Sequence, residues 1–249
     1  GGRRGGPGGR GYLLCGTAFK FGRRGITQPR RARWAALAAE PAALTAKLVH
    51  GKFAVLRGRN RPETAHFRAF SAAQEAILQK QERIGAHSQM KTTLVVLVID
   101  RNKAYWAHVG DSRLYFFRGG KLRTRTLDHS VPQMLALSGD ISEADIRHHP
   151  DRSRLLRVMG VRGESPRYEA AGPVLLSGNM DFLMCTDGFW ELICEDKMAA
   201  ALKQTRTCEE WLEHMHAIVE ENGAECDRVN CTALAVHTHT ARGIGRLLR

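Results

Sequence analysis

The stretch from residue 92 to residue 125 leaves a chain of this kind few folds to choose from. Residues 92–99 are β-branched or apolar throughout, which predicts a central strand buried on both faces. Asp100-Arg101-Asn102-Lys103 reads as a turn, and residues 104–109 return as a second strand. Residues 114–118 and 121–125 then flank Gly119-Gly120, a strong hairpin signal because both turn positions favour residues that accept positive φ. Connections this short make neighbouring strands antiparallel.

Helical patterns surround this block. Over residues 64–83, Phe67, Phe70, Ala73, Ile77 and the following Ile84 recur at spacings of three, four and seven. Ser130 is predicted to cap a helix running through Pro132 to Leu137 and closed by Gly139. Residues 142–147 read as a second short helix and residues 150–160 as a third, starting at Pro150. Strand pattern resumes at 167–171 and 182–186. Helices are predicted at 190–194, 196–203 and 208–221, the last with Trp211, Leu212, Met215, Ile218 and Val219 on one face. Residues 231–237 form a final strand. Antiparallel strands with helices outside predict a layered α+β sandwich.

The chain has 249 residues and is 43% hydrophobic, enough for one sizeable core. Its net charge of +13 is not spread evenly. Residues 1–68 hold 15 Lys and Arg against Glu40 and Glu63 alone, whereas residues 69–249 hold 23 residues of each sign. The larger part is therefore neutral, and its composition gives no reason to expect nucleic-acid binding. Residues 1–10 read GGRRGGPGGR, and residues 11–60 stay rich in Arg, Gly and Ala, with a helix pattern over 33–48 broken at Pro41. Such a composition is also what an out-of-frame reading of GC-rich DNA produces. The expected division is a basic segment at 1–62, poorly ordered or out of frame, a globular domain at 63–240 and a basic tail at 241–249. If the first segment is genuine, a basic arm binding nucleic acid is the alternative account of its charge. The six cysteines show no C-x-x-C pair, which argues against a zinc site. Cys185 and Cys231 sit in apolar runs and read as buried small hydrophobes, reduced thiols of a cytoplasmic protein. No apolar run approaches membrane-spanning length, and Arg3 and Arg4 before a short apolar stretch make a poor targeting signal.

Two motifs carry chemistry: His108-Val109-Gly110-Asp111-Ser112-Arg113 and Cys185-Thr186-Asp187-Gly188, with Asp128-His129-Ser130 between them. Each of the two puts an aspartate beside a glycine at a strand end, where the strand holds the backbone and the glycine lets it turn. Singly, an Asp-Gly pair is a turn. His108 alone reads as a core histidine, His129 as loop structure, His148-His149 as solvated and Trp190 as packing. Further pieces are Met90-Lys91-Thr92-Thr93, Leu155-Leu156-Arg157-Val158-Met159-Gly160, Gly188-Phe189-Trp190-Glu191 and Asn230-Cys231-Thr232. From about Gln74 to Val236 the chain resembles the metal-dependent PPM-type (type 2C) serine/threonine protein phosphatases, in order and spacing like their bacterial branch. The resemblance implies a four-layer α-β-β-α sandwich with two central antiparallel sheets. It also implies two or three Mg²⁺ or Mn²⁺ ions and hydrolysis of phosphoserine and phosphothreonine through a metal-bound water. Phosphorylated proteins would be the substrates and a cognate Ser/Thr kinase the opposing partner. Carried onto this sequence, the metal positions are Asp187 with Gly188, Asp111, and Glu191 one helical turn beyond Asp187. Arg113 and Asn230 fall near the site as structural residues, with Arg113 pairing to acids or backbone.

Three family pieces are absent. The family opens with a motif like R-x-x-N-E-D and continues with D-G-x-G-G, yet residues 1–68 contain no aspartate. Its late Asp-Asn is Val229-Asn230 here, leaving Asp227 as a weak substitute ligand. A two-metal site needs about four convergent carboxylates, and the matched positions supply three. The reading is a phosphatase by descent with impaired activity. Its alternatives are an inactive pseudophosphatase that binds phosphoproteins and the basic-arm nucleic-acid binder.

Overall fold

The computed structural model describes residues 12–22, 25–26, 47–49, 53–57, 62–85, 90–100, 102–163, 165, 167–224 and 231–240. In chain order the elements are β1 (Tyr12–Gly22), β2 (Gly25–Ile26), β3 (Lys47–Val49), β4 (Phe53–Arg57), α1 (Pro62–Arg83), β5 (Leu94–Asp100), β6 (Lys103–Val109), β7 (Arg113–Arg118) and β8 (Lys121–Arg125). They continue as α2 (Val131–Ser138), a 3-10 turn (Glu143–His148), β9 (Glu169–Leu175), β10 (Met180–Cys185), α3 (Asp187–Trp190), α4 (Glu195–Gln204), α5 (Cys208–Asn222) and β11 (Cys231–Thr240).

The strands form a six-stranded sheet, β2-β1-β11-β10-β7-β8, and a five-stranded sheet, β3-β4-β5-β6-β9. Alternation along each strand sorts the apolar residues into layers. On β5, Val95, Leu97 and Ile99 face the other sheet together with Trp106, Leu114, Phe116, Phe182 and Leu234. Leu94, Val96 and Val98 point the opposite way, onto Phe70 of α1. On the outer face of the six-stranded sheet, Tyr115, Phe117 and Leu183 pack under Trp211, Leu212 and Met215 of α5. The result is the predicted four-layer α-β-β-α sandwich.

Local signals set the connections. Gly119 and Gly120 both have positive φ, 59° and 69°, as a two-residue hairpin between right-twisted strands requires. Ser130 accepts the backbone N–H of Gln133 at the start of α2, and Gly139 closes that helix in the left-handed region at φ 86°. No described helix is long and apolar enough to cross a membrane.

Several expectations change. The six-stranded sheet is antiparallel throughout, but β4 runs parallel to β5 in the other sheet. The single helix α1 returns the chain to the end from which it left, so the next strand repeats the direction. The helix expected over 150–160 is not formed. Leu155 and Met159 make isolated bridges to Ser130 and Thr92. Met159 donates its N–H to Thr92 O at 2.8 Å, and Leu156 donates to His129 O at 2.8 Å. Those amides serve tertiary partners instead of a helical ladder. The helix expected at 190–194 begins earlier, at Asp187. Upstream of residue 62, strands β1, β3 and β4 lie in the two sheets. Lys47 and Leu48, within the helix pattern at 33–48, are in β3, and residues 33–46 lie outside the described ones.

Trp211 is fully buried, stands edge-on to Phe117 at 5.4 Å between ring centroids, and donates its indole N–H to Met198 O at 3.0 Å. Trp211→Ala is expected to destabilise the fold by about 3–5 kcal/mol, measured as a lower urea midpoint with an unchanged slope.

Candidate functional site

Strands β7 and β10 pair antiparallel with Arg113 opposite Cys185. Asp111 lies two residues before Arg113 and Asp187 two residues after Cys185, so the pairing brings both aspartates to the same edge. Gly110 makes the turn into this edge at φ 97°, where a Cβ would lie 2.2 Å from Thr93 Cγ2. Only glycine meets both conditions. Thr93 Oγ1 and Ser112 Oγ share a hydrogen bond of 2.8 Å across the turn. Asp111 is buried, and its carbonyl accepts the indole N–H of Trp190 at 3.0 Å.

Thr186 is extended and Asp187 opens α3, with Gly188 buried behind it. Glu191 donates its backbone N–H to Asp187 O at 3.0 Å, so its side chain follows one helical turn later. Burial pushes the Glu191 carboxyl above its ordinary value; Arg152, at 3.2 Å, opposes that and Asp187 adds to it. Asp111, Asp187 and Glu191 offer carboxylate oxygen alone, the chemistry of a hard cation such as Mg²⁺ or Mn²⁺. Their oxygens do not all lie within 4.8 Å of one another.

Two strands could have supplied more. β1 reaches the correct end, with Phe21 opposite Cys231, but no acid occurs between residues 12 and 39. β4 begins beside it, with Phe53 aligned to Val95 next to the Leu94–Val109 pair, but Phe53–Arg57 carries no acid and runs away from the edge, Arg57 aligning with Ile99. Five residues of strand separate the two levels, roughly 17 Å. Asp227 and Asn230 lie outside the described residues. Among the described residues, three carboxylates at this edge fall short of the about four that a bridged pair of cations needs.

The side chains the sequence left in the background hold this edge. Arg113 is 2% exposed and makes a bidentate pair with Asp128, Nε to Oδ1 and Nη2 to Oδ2, both 2.8 Å. Its Nη1 donates to the Tyr115 hydroxyl at 3.1 Å and lies 3.8 Å from Glu195. The guanidinium stacks over the Trp190 ring, 3.4 Å from the centroid. Trp190, which reads as packing in the sequence, thus covers Arg113 and anchors Asp111. Asp128 is visible in the sequence as a motif residue, but nothing there pairs it with Arg113, and Glu195 carries no signal at all.

His129 and Gly110 bond reciprocally: His129 N–H donates to Gly110 O at 3.0 Å, and Gly110 N–H donates to His129 Nδ1 at 3.1 Å. His129 stacks on His108 at 4.6 Å, and its Nε2 lies 3.5 Å from Glu169. Among the described residues, His108, His129 and Glu169 are the one group whose candidate ligand atoms lie within 4.8 Å of each other. The hydrogen bonding opposes a metal there. Because Nδ1 accepts from Gly110, the proton of neutral His129 is on Nε2, which presents N–H instead of a lone pair. This cluster is a hydrogen-bonded brace behind the Gly110 turn.

Burial of the ordinarily reactive groups is consistent with structural roles. It pushes the Cys231 thiol up to about 12, and Cys185, also free, is raised well above the thiol range by burial.

Asp128→Ala leaves Arg113 charged and buried without its bidentate carboxylate, with only Glu195 at 3.8 Å to face it, and should cost about 3 kcal/mol in chemical denaturation. The imidazole of His129 is held down to about 4 by burial, with His108 and Arg157 adding to this, against 6.5 when unfolded. Its neutral form contributes full stability above pH 6.5, and that contribution is lost as pH falls toward 4. His129→Gln is expected to flatten the stability profile across this window, measured by urea midpoints at successive pH values.

The family model for Protein phosphatase 2C matches residues 40–134. Serine/threonine phosphatase stp of Listeria monocytogenes serotype 4b (strain F2365) is 36% identical over 121 residues, 49% of this chain and 47% of that protein. Protein phosphatase PhpP of Streptococcus pneumoniae is 33% identical over 119 residues, 46% of this chain and 47% of that one. The chain spans about half the length of the curated relatives it matches. Among solved structures, PppA of Pseudomonas aeruginosa, a key regulatory component of T6SS, is similar at TM-score 0.59 and 27% identity, over 71% of this chain and 70% of that chain. The catalytic domain of serine threonine protein phosphatase PstP in complex with 2 manganese ions shares the fold at TM-score 0.57 and 22% identity, over 68% of this chain and 67% of its own. Sequence likeness over residues 40–134 and fold likeness over about 70% of the chain point the same way: the chain is similar to bacterial PPM-type (2C) protein phosphatases.

Proposed function

We propose that the chain is a metal-dependent phosphoserine and phosphothreonine protein phosphatase whose turnover is slow. The observation that carries this reading is the meeting of Asp111 and Asp187 at one edge of a PPM-type sandwich. Asp187 at the start of α3, Glu191 just beyond its end, Asp111 in the turn before β7 and the Gly188 backbone would hold one Mg²⁺ or Mn²⁺. A bound hard cation supplies an activated water and charge neutralisation at phosphoryl oxygens. Asp227 and Asn230 are the supplementary groups nearest in sequence to β11. Arg152 competes for the Glu191 carboxylate. The substrate is a phosphorylated protein, a Ser/Thr kinase is the opposing partner, and the unpaired thiols suit work in the cytoplasm. Slow turnover follows from the missing second metal, since one cation neutralises less of the developing charge.

A second reading, a pseudophosphatase that binds phosphoprotein without cleaving it, is favoured by one observation: the three carboxylates do not converge within 4.8 Å. Hydrolysis of p-nitrophenyl phosphate separates the two. Slow turnover that needs Mn²⁺ and disappears in Asp187→Asn supports the phosphatase. Turnover that persists in EDTA or in Asp187→Asn overturns it. No turnover, together with no heat of Mn²⁺ binding, establishes the pseudophosphatase. Arg152→Ala frees Glu191 from an exposed ion pair and is expected to tighten Mn²⁺ binding by about two- to fivefold in calorimetry.

A further inference from the structure

On the α1 side of the Asp111 edge lies a cavity of about 320 Å³ whose floor includes Val109, two residues before Asp111. Lys91, Arg157 and Arg167 line it, and among the described residues no carboxylate does. Residues 69–249 carry equal numbers of acids and bases, so three cations around one concavity depart sharply from the average of this region. Lys91 and Arg167 have no ion-pair partner among the described residues. Among the described residues Arg157 approaches His129, with Nη1 at 3.4 Å from Nε2, and the Glu169 beyond that ring is not part of the described lining. Like charges held together around low-dielectric walls repel one another and focus a positive potential into the cavity.

The wall is built before any ligand arrives. Gln74 of α1 accepts Gly160 N–H at 2.7 Å and donates to Val161 O at 2.7 Å. Gln81 donates to Met90 O at 2.8 Å and to Gly160 O at 2.9 Å, tying the segment that carries Lys91 to the one that carries Arg157. The Thr92–Met159 bridge closes the same seam. The Lys91 ammonium and the Arg157 guanidinium on this pinned frame, with the Arg167 guanidinium on the same lining and apolar residues between them, match a tetrahedral oxyanion: Arg forks bind phosphate oxygens in pairs, and Lys adds a point charge.

We propose that this cavity is a phosphate-binding site that takes the phosphoryl group of a phosphorylated serine or threonine in a protein segment, independently of any metal. The assignment of a phosphopeptide as occupant rests on the phosphatase reading above; the anion chemistry does not.

The test is fluorescence anisotropy on the full chain in EDTA, with a labelled peptide carrying one phosphothreonine and its unphosphorylated twin, and with inorganic phosphate as competitor. The phosphopeptide should bind, the twin should not, phosphate should compete, and added salt should weaken binding. Arg157→Gln/Arg167→Gln should raise Kd at least tenfold. Lys91→Gln, which removes no hydrogen-bond partner, should raise it about threefold, so the idea remains testable if the double variant fails to fold. Asp187→Asn should bind as the parent does, whatever its turnover. Equal binding of the twin, parental Kd in a folded double variant or in Lys91→Gln, loss of binding in Asp187→Asn, or no binding at all would overturn the proposal. Because EDTA removes the cation, failure of catalysis and failure of this site are read in separate experiments.

Discussion

Arg113 brings a full positive charge to a place where its side chain is 2% exposed, and removing such a charge from water costs several kcal/mol. Geometry offsets that cost. The Asp128 carboxylate meets the guanidinium in a fork of two 2.8 Å bonds, the Tyr115 hydroxyl accepts a third N–H, and the Trp190 ring lies flat against the remaining face. The contacts come from the first residues of β7, the loop before α2, and α3. None of these can shift without uncovering the charge. The Trp190 indole that covers Arg113 also donates to Asp111 O, so the same arrangement sets where the Asp111 turn sits. A pair of this kind adds little net stability over a well-packed apolar replacement. Its effect is to fix one arrangement of three segments, and the candidate metal edge inherits that arrangement.

Much of this was legible in the sequence where the cause is local. Gly119-Gly120 specifies its hairpin by backbone freedom alone, and Ser130 with Gly139 brackets α2 by capping. The unbroken apolar run of β5 foretells burial on both faces. Residues 150–160 were illegible for the opposite reason. Leu155 and Met159 bond to Ser130 and Thr92, partners 25 and 67 residues away, and an apolar run of that length does not distinguish a helix from an extended edge. The direction of β4 depends on how many helices intervene before β5, a tertiary fact. β1 pairs with β11 across almost the entire chain, so its strand character could not be read from its own Gly- and Arg-rich surroundings. At the site, Asp111 and Asp187 stand out because glycine marks each strand end. Asp128 is conspicuous in sequence, but its tie to Arg113 is not, and Glu195 has no mark at all.

The deficit of the site has one location. β1 arrives at the metal edge and β4 starts beside it, and neither carries a carboxylate. Both strands belong to the first quarter of the chain, which contains no aspartate and holds the whole excess of positive charge. Near a site that must gather negative charge around a cation, that composition works against metal binding. Asp187 and Glu191, already pressed together in a half-buried turn with Arg152 at hand, are what the neutral remainder of the chain can offer.

Binding and catalysis separate on these grounds. A cluster of guanidinium and ammonium groups attracts a phosphate monoester through charge the ester already carries, and holds it about equally well before and during reaction. Such uniform binding lowers KM and leaves kcat untouched. Raising kcat requires a group whose interaction grows as charge develops on the transferring phosphoryl and on the attacking water, which is what a cation at the Asp187 edge would provide. Lys91, Arg157 and Arg167 sit on the α1 side of the Asp111 turn, and Asp187 and Glu191 at the start of α3 and just beyond its end. On the proposals above, recognition of the phosphate and catalysis would depend on different segments and on opposite charge, so the one could persist while the other weakens.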